Sequence, residues 1–449
     1  MTRSARALSV AVLVIVIIVA VLLGLAFWPT RTAPLEQAQA AAGDPQWVER
    51  GRLVATAGDC IACHTARGGQ PFAGGLAVAS PIGNIYSTNI TPDPDTGIGR
   101  YSLDEFSRAV RHGIARDGST LYPAMPWPSY ARLSDDDVAA LYAYFMHGVE
   151  PVSNQNRRTD IRWPLSMRWP LAIWRRLYGP GDDARFDGSR YADAQVARGA
   201  YLVQGAGHCG ACHTPRAATL QEKALDDSSE LYLSGGAAID GWVAVNLRGN
   251  DDGLGRWSLD DIVATLRGAR NAHQAVIGSP MQDVVLHSTQ HMSDEDVRAI
   301  AAYLKQLGPG PDRGTSYADS PDTARALMAG QDLGRGAELY ADSCAACHRS
   351  DGKGNPNGLP AIAGNPTVLT PDPSSLIRLV LTGSMLPSTA HAPSNLGMPA
   401  FDWRLSNDEV AQLLTFIRNG WGNKAPAVSS ADVAKVRQAL ADETRSARK

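Results

Sequence analysis

The chain opens with an apolar run that predicts one helix of membrane-spanning length. Residues Ala7 to Trp28 form an uncharged stretch of 22 residues, preceded by Arg3 and Arg6. At ~1.5 Å per residue such a helix is ~33 Å long, enough to cross a bilayer core. The run predicts either an uncleaved membrane anchor or a removed signal peptide, for which Ala38-Gln39-Ala40 resembles a cleavage site. Both interpretations send the rest of the chain out of the cytoplasm.

Three later stretches repeat one helical pattern of apolar and polar positions. Each begins with a serine that is followed three residues later by an acidic residue, as in a capping box, and continues with apolar residues at helical spacing. The pairs are Ser134 with Asp137, Ser293 with Asp296, and Ser406 with Glu409. We expect each stretch to be the last helix of one repeated unit.

A second recurring pattern predicts how each last helix packs. An Arg-Gly pair lies in a helical stretch near the start of each unit, and an aromatic residue stands ten positions after each capping serine. Where two helices cross closely, a small residue must face a bulky one. We therefore expect crossings at Gly51 with Tyr144, Gly199 with Tyr303, and Gly336 with Phe416.

The first two units resemble each other more than either resembles the third. Residues Gly97-Ile-Gly-Arg-Tyr-Ser102-Leu-Asp-Glu105 of the first unit correspond to Gly253-Leu-Gly-Arg-Trp-Ser258-Leu-Asp-Asp261 of the second. Glycines followed by a serine and a later acidic residue predict a turn that leads into a capped helix.

Breaks in these patterns divide the chain, because Pro and Gly interrupt helices. We predict an all-α protein with three tandem domains. The predicted segments are an anchor or signal segment 1–43, domains 44–150, 191–308 and 330–424, linkers 151–190 and 309–329, and a charged C-terminal tail 425–449.

The first linker is rich in tryptophan and arginine. It contains Trp163, Trp169, Trp174, Arg157, Arg158, Arg162, Arg168, Arg175 and Arg176. Its pattern fits a connector helix whose tryptophans pack on the neighbouring domains. The alternative interpretation is a docking surface for a partner subunit or for lipid headgroups, where Trp and Arg are both favoured.

Each unit carries one Cys-x-x-Cys-His motif, and the three motifs use all six cysteines. They are Cys60, Cys63 and His64; Cys209, Cys212 and His213; and Cys344, Cys347 and His348. In this motif two thiols one helical turn apart form thioethers with a porphyrin, and the adjacent histidine binds the iron. The sequence therefore predicts three covalently bound haem c groups.

Zinc and disulfides are the alternatives for these residues. A thiolate pair with a histidine supplies three of the four ligands of a tetrahedral zinc site, but the next such pair lies more than a hundred residues away in each case. Disulfide bonds would leave the three adjacent histidines unexplained.

A methionine beside a proline lies between each motif and the last helix of its unit. Met125, Met281 and Met398 follow their proximal histidines by 61, 68 and 50 residues. Ligation by His and Met closes both axial positions of a haem and raises its reduction potential. We predict these methionines as the second axial ligands, with Met292 and Met385 as competitors in the second and third units.

Charge and motif content exclude several other functions. The 42 basic and 45 acidic residues give a net charge of −3, so no polycationic surface and no nucleic-acid partner are expected. No strand-associated dinucleotide motif and no nucleophile or paired-carboxylate constellation stands out beside the haem motifs. No catalytic residue is predicted.

The arrangement resembles a known family. Three haem motifs together with the Leu121-Tyr-Pro-Ala-Met-Pro126 loop, the Gly97 to Ser102 segment and His287-Ser-Thr-Gln290 are similar to the cytochrome c subunit of bacterial membrane-bound dehydrogenases. The similarity spans about Asp44 to Asn423. It implies three cytochrome c domains, like those of triheme subunits that serve alcohol, gluconate, fructose, sorbitol and aldehyde dehydrogenases.

The resemblance also implies partners and a location. The partner would be a dehydrogenase large subunit carrying flavin, pyrroloquinoline quinone or molybdopterin, with electrons delivered to ubiquinone at the periplasmic side of the bacterial inner membrane. Two other classes stay open, a c-type haem subunit of a terminal oxidase and a multihaem peroxidase-like enzyme. The peroxidase would need a five-coordinate iron, against which the three methionines argue.

Overall fold

A computed structural model of the chain is mostly helical and forms two compact units. It describes residues 3–28, 30, 35, 43–80, 82–181, 184–273, 280–355 and 358–447. One unit comprises residues 1–55 and 63–186, and the other 56–62 and 187–449. The second and third predicted domains thus share a unit. The cleavage-like Ala38-Gln39-Ala40 lies outside the described residues.

The first unit contains the apolar N-terminal helix together with Cys63 and His64 of the first haem motif, whereas Cys60 belongs to the second unit. The apolar window Ser4–Phe27 has a mean hydropathy of 3.4, and none of it is buried within the protein. Strands β1 (Ala77–Val78) and β2 (Ile85–Tyr86) pair antiparallel. The helices that begin in this part of the chain are α1 (Arg3–Phe27), α2 (Pro45–Ala57), α3 (Cys60–Cys63), α4 (Leu103–His112), α5 (Trp127–Tyr130), α6 (Asp135–His147) and α7 (Trp169–Tyr178).

The second unit contains the other two haem motifs. Its described helices are α8 (Ala194–Gln204), α9 (Gly210–His213), α10 (Leu259–Leu266), α11 (Met281–His287), α12 (Asp294–Gln306), α13 (Asp322–Met328), α14 (Arg335–Ser343), α15 (Ala345–His348), α16 (Pro366–Leu369), α17 (Ser374–Thr382), α18 (Asn407–Asn419) and α19 (Ser430–Ala447), with 3₁₀ turns at Gly188–Arg190 and Thr289–His291. Short antiparallel pairs join β3 (Ala238–Ile239) to β4 (Trp242–Val243), β5 (Ser316–Tyr317) to β8 (Asn423–Lys424), and β6 (Ser384–Met385) to β7 (Gly397–Met398).

The first and last helices of each domain pack closely at the predicted glycines. A Cβ atom placed on Gly199 of α8 would lie 2.8 Å from the Cβ of Tyr303 on α12, and closer still to the carbonyl oxygen of Ala299. The corresponding Cβ distances are 2.7 Å from Gly51 to Tyr144 and 2.9 Å from Gly336 to Phe416. The predicted contacts are therefore confirmed, and each requires a glycine because no side chain fits.

An arginine beside each glycine binds the start of the last helix. Arg50 Nε donates to Asp137 at 2.8 Å, Arg198 Nε to Asp296 at 2.7 Å, and Arg335 Nη2 to Glu409 at 3.0 Å. The acceptor in each case is the acidic residue three positions after the capping serine. The same acidic residues therefore take part in both features: their carboxylates bind the arginine at the crossing, and their backbone N–H groups are capped by the serine.

The predicted capping boxes form in part. Ser134, Ser293 and Ser406 all accept the backbone N–H of the acidic residue, whereas the reciprocal bond forms only at Ser406 with Glu409. The Glu409 carboxylate accepts both the serine N–H and a hydrogen bond from Arg335. Complete boxes also open α4, at Ser102 with Glu105, and α10, at Ser258 with Asp261.

Two buried arginines support the loops that precede α6 and α12. The Arg111 side chain donates to the Leu133 carbonyl at 2.6 Å and pairs with Asp135 at 2.7 Å. Arg267 donates to the carbonyls of Thr289, Gln290 and Met292 at 2.9 Å each and pairs with Asp294 at 2.6 Å. Both arginines stand nine residues after the capping serine of α4 or α10. They satisfy carbonyl groups that burial would otherwise leave unpaired.

The segment predicted as a charged tail is instead a docked helix. Helix α19 packs on α17 and α18, with Val433 and Val436 buried and Leu440 against the same hydrophobic core. These three apolar residues lie on one face of the 18-residue helix, and Arg437 adds hydrogen bonds to the carbonyls of Asp402 and Leu405.

We expect Gly199→Ala to destabilise the second unit by about 1–3 kcal/mol, because the added methyl group overpacks the α8–α12 contact. Thermal unfolding of the haem-loaded protein measures the effect. Gly308→Ala is the control, since a Cβ atom placed there would meet no neighbouring group within 4 Å; its effect should stay within about 0.5 kcal/mol. Equal effects of the two substitutions would contradict a close helix crossing at Gly199.

Candidate haem sites

The three Cys-x-x-Cys-His motifs lie on short helices that directly follow the first helix of each domain. Helix α3 carries the first motif, α9 the second and α15 the third. All six cysteines are thiols outside disulfide bonds, and each is partly or fully exposed. Among the residues that the structure describes, no three His, Cys, Asp or Glu side chains are grouped as a metal-ligand set, which a structural zinc site requires.

Each motif histidine has one ring nitrogen against a backbone carbonyl. The Nδ1 atom lies 2.6 Å from the Thr88 oxygen in His64, 2.7 Å from the Val245 oxygen in His213, and 2.9 Å from the Pro360 oxygen in His348. A carbonyl oxygen can only accept a hydrogen bond, so the ring nitrogen that faces it must be the donor. This contact therefore places the ring proton on Nδ1. The Nε2 lone pair then stays available for a metal, with the ring orientation fixed.

The local environment also favours the neutral form of these rings. Loss of solvation on burial lowers the pKa of His64, His213 and His348, and the carbonyl hydrogen bond opposes this only in part. A neutral imidazole is the form that binds iron. The histidine geometry, repeated three times, therefore fits a covalently attached haem.

Two buried asparagines hold the carbonyl-bearing loops in the first two domains. Asn89 Oδ1 accepts the Thr91 N–H at 2.9 Å, and its Nδ2 donates to the Val152 carbonyl at 2.7 Å. Asn246 makes the corresponding contacts with the Arg248 N–H and the Asp252 carboxylate, both at 2.9 Å. Each asparagine directly follows the residue whose carbonyl faces the histidine.

Sequence reasoning missed these loops, because the atom that faces the histidine belongs to the backbone. The one available signal was weak. An asparagine stands 25 residues after His64 and 33 residues after His213, at positions 89 and 246. The differing intervals concealed the correspondence.

The three predicted methionine ligands occupy different local structures. Met125 precedes α5, where its carbonyl accepts the Trp127 N–H at 2.8 Å. Met281 is the first residue of α11, and Met398 lies in β7 and packs partly against the core of the third domain. The competitor Met385, on the paired strand β6, is 56% exposed. Burial thus favours Met398 over Met385.

Comparisons with known proteins agree with this repeated geometry. The cytochrome c family profile matches residues 48–148, 196–308 and 333–421. The gluconate 2-dehydrogenase cytochrome c subunit of Pantoea cypripedii is 57% identical over 88% of this chain and 90% of its own length.

Two further relatives carry similar names. The cytochrome c subunit of alcohol dehydrogenase (quinone) from Gluconobacter oxydans (strain 621H) is 53% identical over 89% of this chain and 84% of its own length. The fructose dehydrogenase cytochrome subunit of Gluconobacter japonicus is 38% identical over 93% of this chain and 87% of its own length.

We expect Asn246→Ala to destabilise the protein by about 1–3 kcal/mol, because it removes the hydrogen-bond partners of the buried Arg248 N–H and of Asp252 Oδ1. The released loop should also loosen the Val245 contact with His213, which would shift the reduction potential of the second haem alone. Denaturant unfolding and a potentiometric titration measure the two effects. The exposed Asn395 provides the control variant Asn395→Ala, and an unchanged stability of Asn246→Ala would contradict the structural role.

Proposed function

The chain belongs to the cytochrome c family, and on that basis we propose that it is the triheme electron-transfer subunit of a membrane-bound dehydrogenase. A partner subunit carrying flavin, pyrroloquinoline quinone or molybdopterin would supply electrons, and ubiquinone would receive them. The observation that carries the proposal is the threefold repeat of a haem motif whose histidine is oriented by a backbone carbonyl. Near full-length similarity to cytochrome subunits of gluconate, alcohol and fructose dehydrogenases supports the partner class.

The roles of the motif residues follow from this proposal. Cys60 with Cys63, Cys209 with Cys212, and Cys344 with Cys347 would hold the porphyrins as thioethers, and His64, His213 and His348 would bind iron through Nε2. Bound haem c supplies reversible one-electron chemistry. The protein fixes the orientation of each histidine ring, so little rearrangement of the site would accompany a change in the charge of the iron.

Methionine ligands at the opposite face would close each site. Met125, Met281 and Met398 each lie next to a proline, which restricts the loop to extended or turn geometry. A closed site cannot bind peroxide or oxygen at the iron. This is why we favour an electron relay over a peroxidase-like enzyme.

Residues 57 and 58 are hydrogen-bonded to the second domain within the second unit. The Ala57 carbonyl accepts a hydrogen bond from Ser288 at 3.3 Å, and His208 Nε2 lies 3.3 Å from the Gly58 oxygen. His208 directly precedes Cys209 of the second haem motif.

The third domain contacts the second directly as well. The Val243 N–H donates to Ser375 Oγ at 2.7 Å, and Thr389 Oγ1 donates to the Arg267 carbonyl at 2.7 Å. Arg256 also donates to the carbonyl of Gly364, where a side chain would collide with the guanidinium. We infer that electrons pass directly between the second and third haems.

For the location, we propose an uncleaved anchor in the bacterial inner membrane with the haem domains on the periplasmic side. Helix α1 has the length and hydropathy of a span. Arg175 Nη2 of α7 donates to Thr30 Oγ1 at 2.7 Å just beyond the helix end. Such a contact joins α1 to the folded protein, which a removable signal peptide does not need.

We expect Met398→Ala to remove about one third of the far-red sulfur-to-iron absorption of the oxidised protein and to lower the potential of one haem, because one of three His/Met sites is opened. Met385→Ala is the matched control and should leave the spectrum unchanged. The reverse result would reassign the ligand of the third haem to Met385. Met125→Ala and Met281→Ala should each give the same loss as Met398→Ala.

The relay itself is tested in the native complex, purified through a C-terminal tag on this chain. Gluconate, ethanol and fructose are offered with either ubiquinone-1 or an artificial dye as acceptor. The double variant Cys209→Ser/Cys212→Ser should lose ubiquinone reduction while the dye-linked activity of the partner persists, because one haem of the relay is missing. Substrate oxidation by the isolated cytochrome chain, with no partner present, would refute the proposal.

A further inference from the structure

Helix α7 of the Trp/Arg-rich linker lies at the C-terminal end of α1. The two helices are in contact, and Arg175 and Arg176 of α7 donate to Thr30 and to the Trp28 carbonyl, respectively. Both partners directly follow the apolar helix. The linker is therefore fixed at the level where α1 would leave a membrane.

Most of the linker arginines hold this segment on the protein. The guanidinium of Arg157 lies 4.0 Å from the ring centre of Tyr86, and that of Arg168 lies 4.0 Å from the ring centre of Tyr122. Together with the hydrogen bonds of Arg175 and Arg176 to residues just after α1, these cation–π contacts direct four linker arginines toward protein groups. The exposed surface of the linker is therefore formed largely by other side chains.

The exposed side chains of this segment are largely apolar and aromatic. Trp163 is 78% exposed, Leu165 58% and Leu177 61%, and the end of α1, which α7 contacts, exposes Phe27 at 70% and Trp28 at 71%. Arg158 and Arg162 are also exposed. Several large exposed apolar groups within one short segment indicate an interaction site. Trp and Leu beside a few cations is the composition of a segment that lies in the membrane interface.

Other side chains of the linker pack on the first haem domain. Trp174 of α7 stacks edge-on against Trp127 with 6.1 Å between ring centres, and Trp127 stands two residues after Met125. Arg168 covers Tyr122 on the same loop. The linker therefore contacts the Met125 loop, while Trp163, Leu165 and Leu177 remain largely exposed.

We propose that residues 162–178 lie in the headgroup layer of the bilayer that α1 crosses, with Trp163, Leu165 and Leu177 inserted toward the acyl chains. The occupant of the apolar surface is thus lipid. The inference rests on the proposed uncleaved anchor. Its consequence is that the Met125 loop of the first haem domain is held beside the bilayer surface, in a fixed orientation relative to a membrane-dissolved electron acceptor.

The chain allows a direct test, because all six native cysteines belong to the haem motifs. A single introduced cysteine is then the only reactive thiol of the haem-loaded protein. Leu165→Cys and Leu177→Cys are compared with Leu53→Cys, whose parent side chain on α2 is 47% exposed. Each full-length variant is placed in nanodiscs of phosphatidylcholine and phosphatidylglycerol and labelled with a charged maleimide.

Protein burial alone would make positions 165 and 177 react faster than position 53, since both are more exposed. The proposal gives the opposite order: labelling at 165 and 177 should be at least about tenfold slower than at 53, because the headgroup layer excludes the charged reagent and disfavours the thiolate. Rates are normalised to the denatured variants.

The possible outcomes distinguish a failure of the interface proposal from a failure of the anchor proposal. Intact mass of the mature protein reports whether α1 is retained, and a protein without α1 overturns both proposals. With α1 retained, labelling at 165 and 177 as fast as at 53 overturns the interface alone. Protection that arises only after the partner dehydrogenase subunit is added assigns the patch to protein and likewise overturns the lipid proposal.

Discussion

The close helix contact at a glycine is the constraint on which each domain depends. In the second domain Gly199 lets α8 approach the backbone of α12, and Arg198 beside it binds Asp296 at the start of that helix. The haem motif begins five residues after α8 ends, at Cys209. A fixed first helix therefore fixes the start of the attachment segment, and the same relation recurs at Gly51 and Gly336.

The second requirement is a histidine that keeps one orientation. A side chain on a four-residue helix would rotate freely without a partner, and the carbonyls of Thr88, Val245 and Pro360 supply that partner. Their positions depend in turn on buried polar contacts such as those of Asn246. Electron transfer benefits because a rigid site changes little when the iron changes charge.

The sequence was informative where the chemistry is local. The haem motifs and the cofactor class follow from short spacings within one helix. The glycine-to-aromatic contacts join helices that are 80 to 104 residues apart, and they were predictable because the same pattern occurs in three units. The three-domain all-α organisation followed from this repetition.

Other contacts between distant segments show no comparable pattern in the sequence. Arg267 binds carbonyls more than twenty residues away, and the apolar residues with which α19 packs form only a narrow stripe. The carbonyls that orient the histidines have no side-chain signature at all. The axial methionines stay a prediction, because proline-flanked loops indicate where a ligand could lie without fixing its distance to iron.

Carbon monoxide binding to the fully reduced, full-length wild-type protein tests the closed electron relay most directly, because it asks whether any iron has an open position. We expect three low-spin haems, no high-spin iron signal in the oxidised protein, and no change in the reduced spectrum under carbon monoxide at neutral pH. Binding of carbon monoxide to one haem in the native protein would contradict a closed electron relay and favour ligand chemistry at that iron.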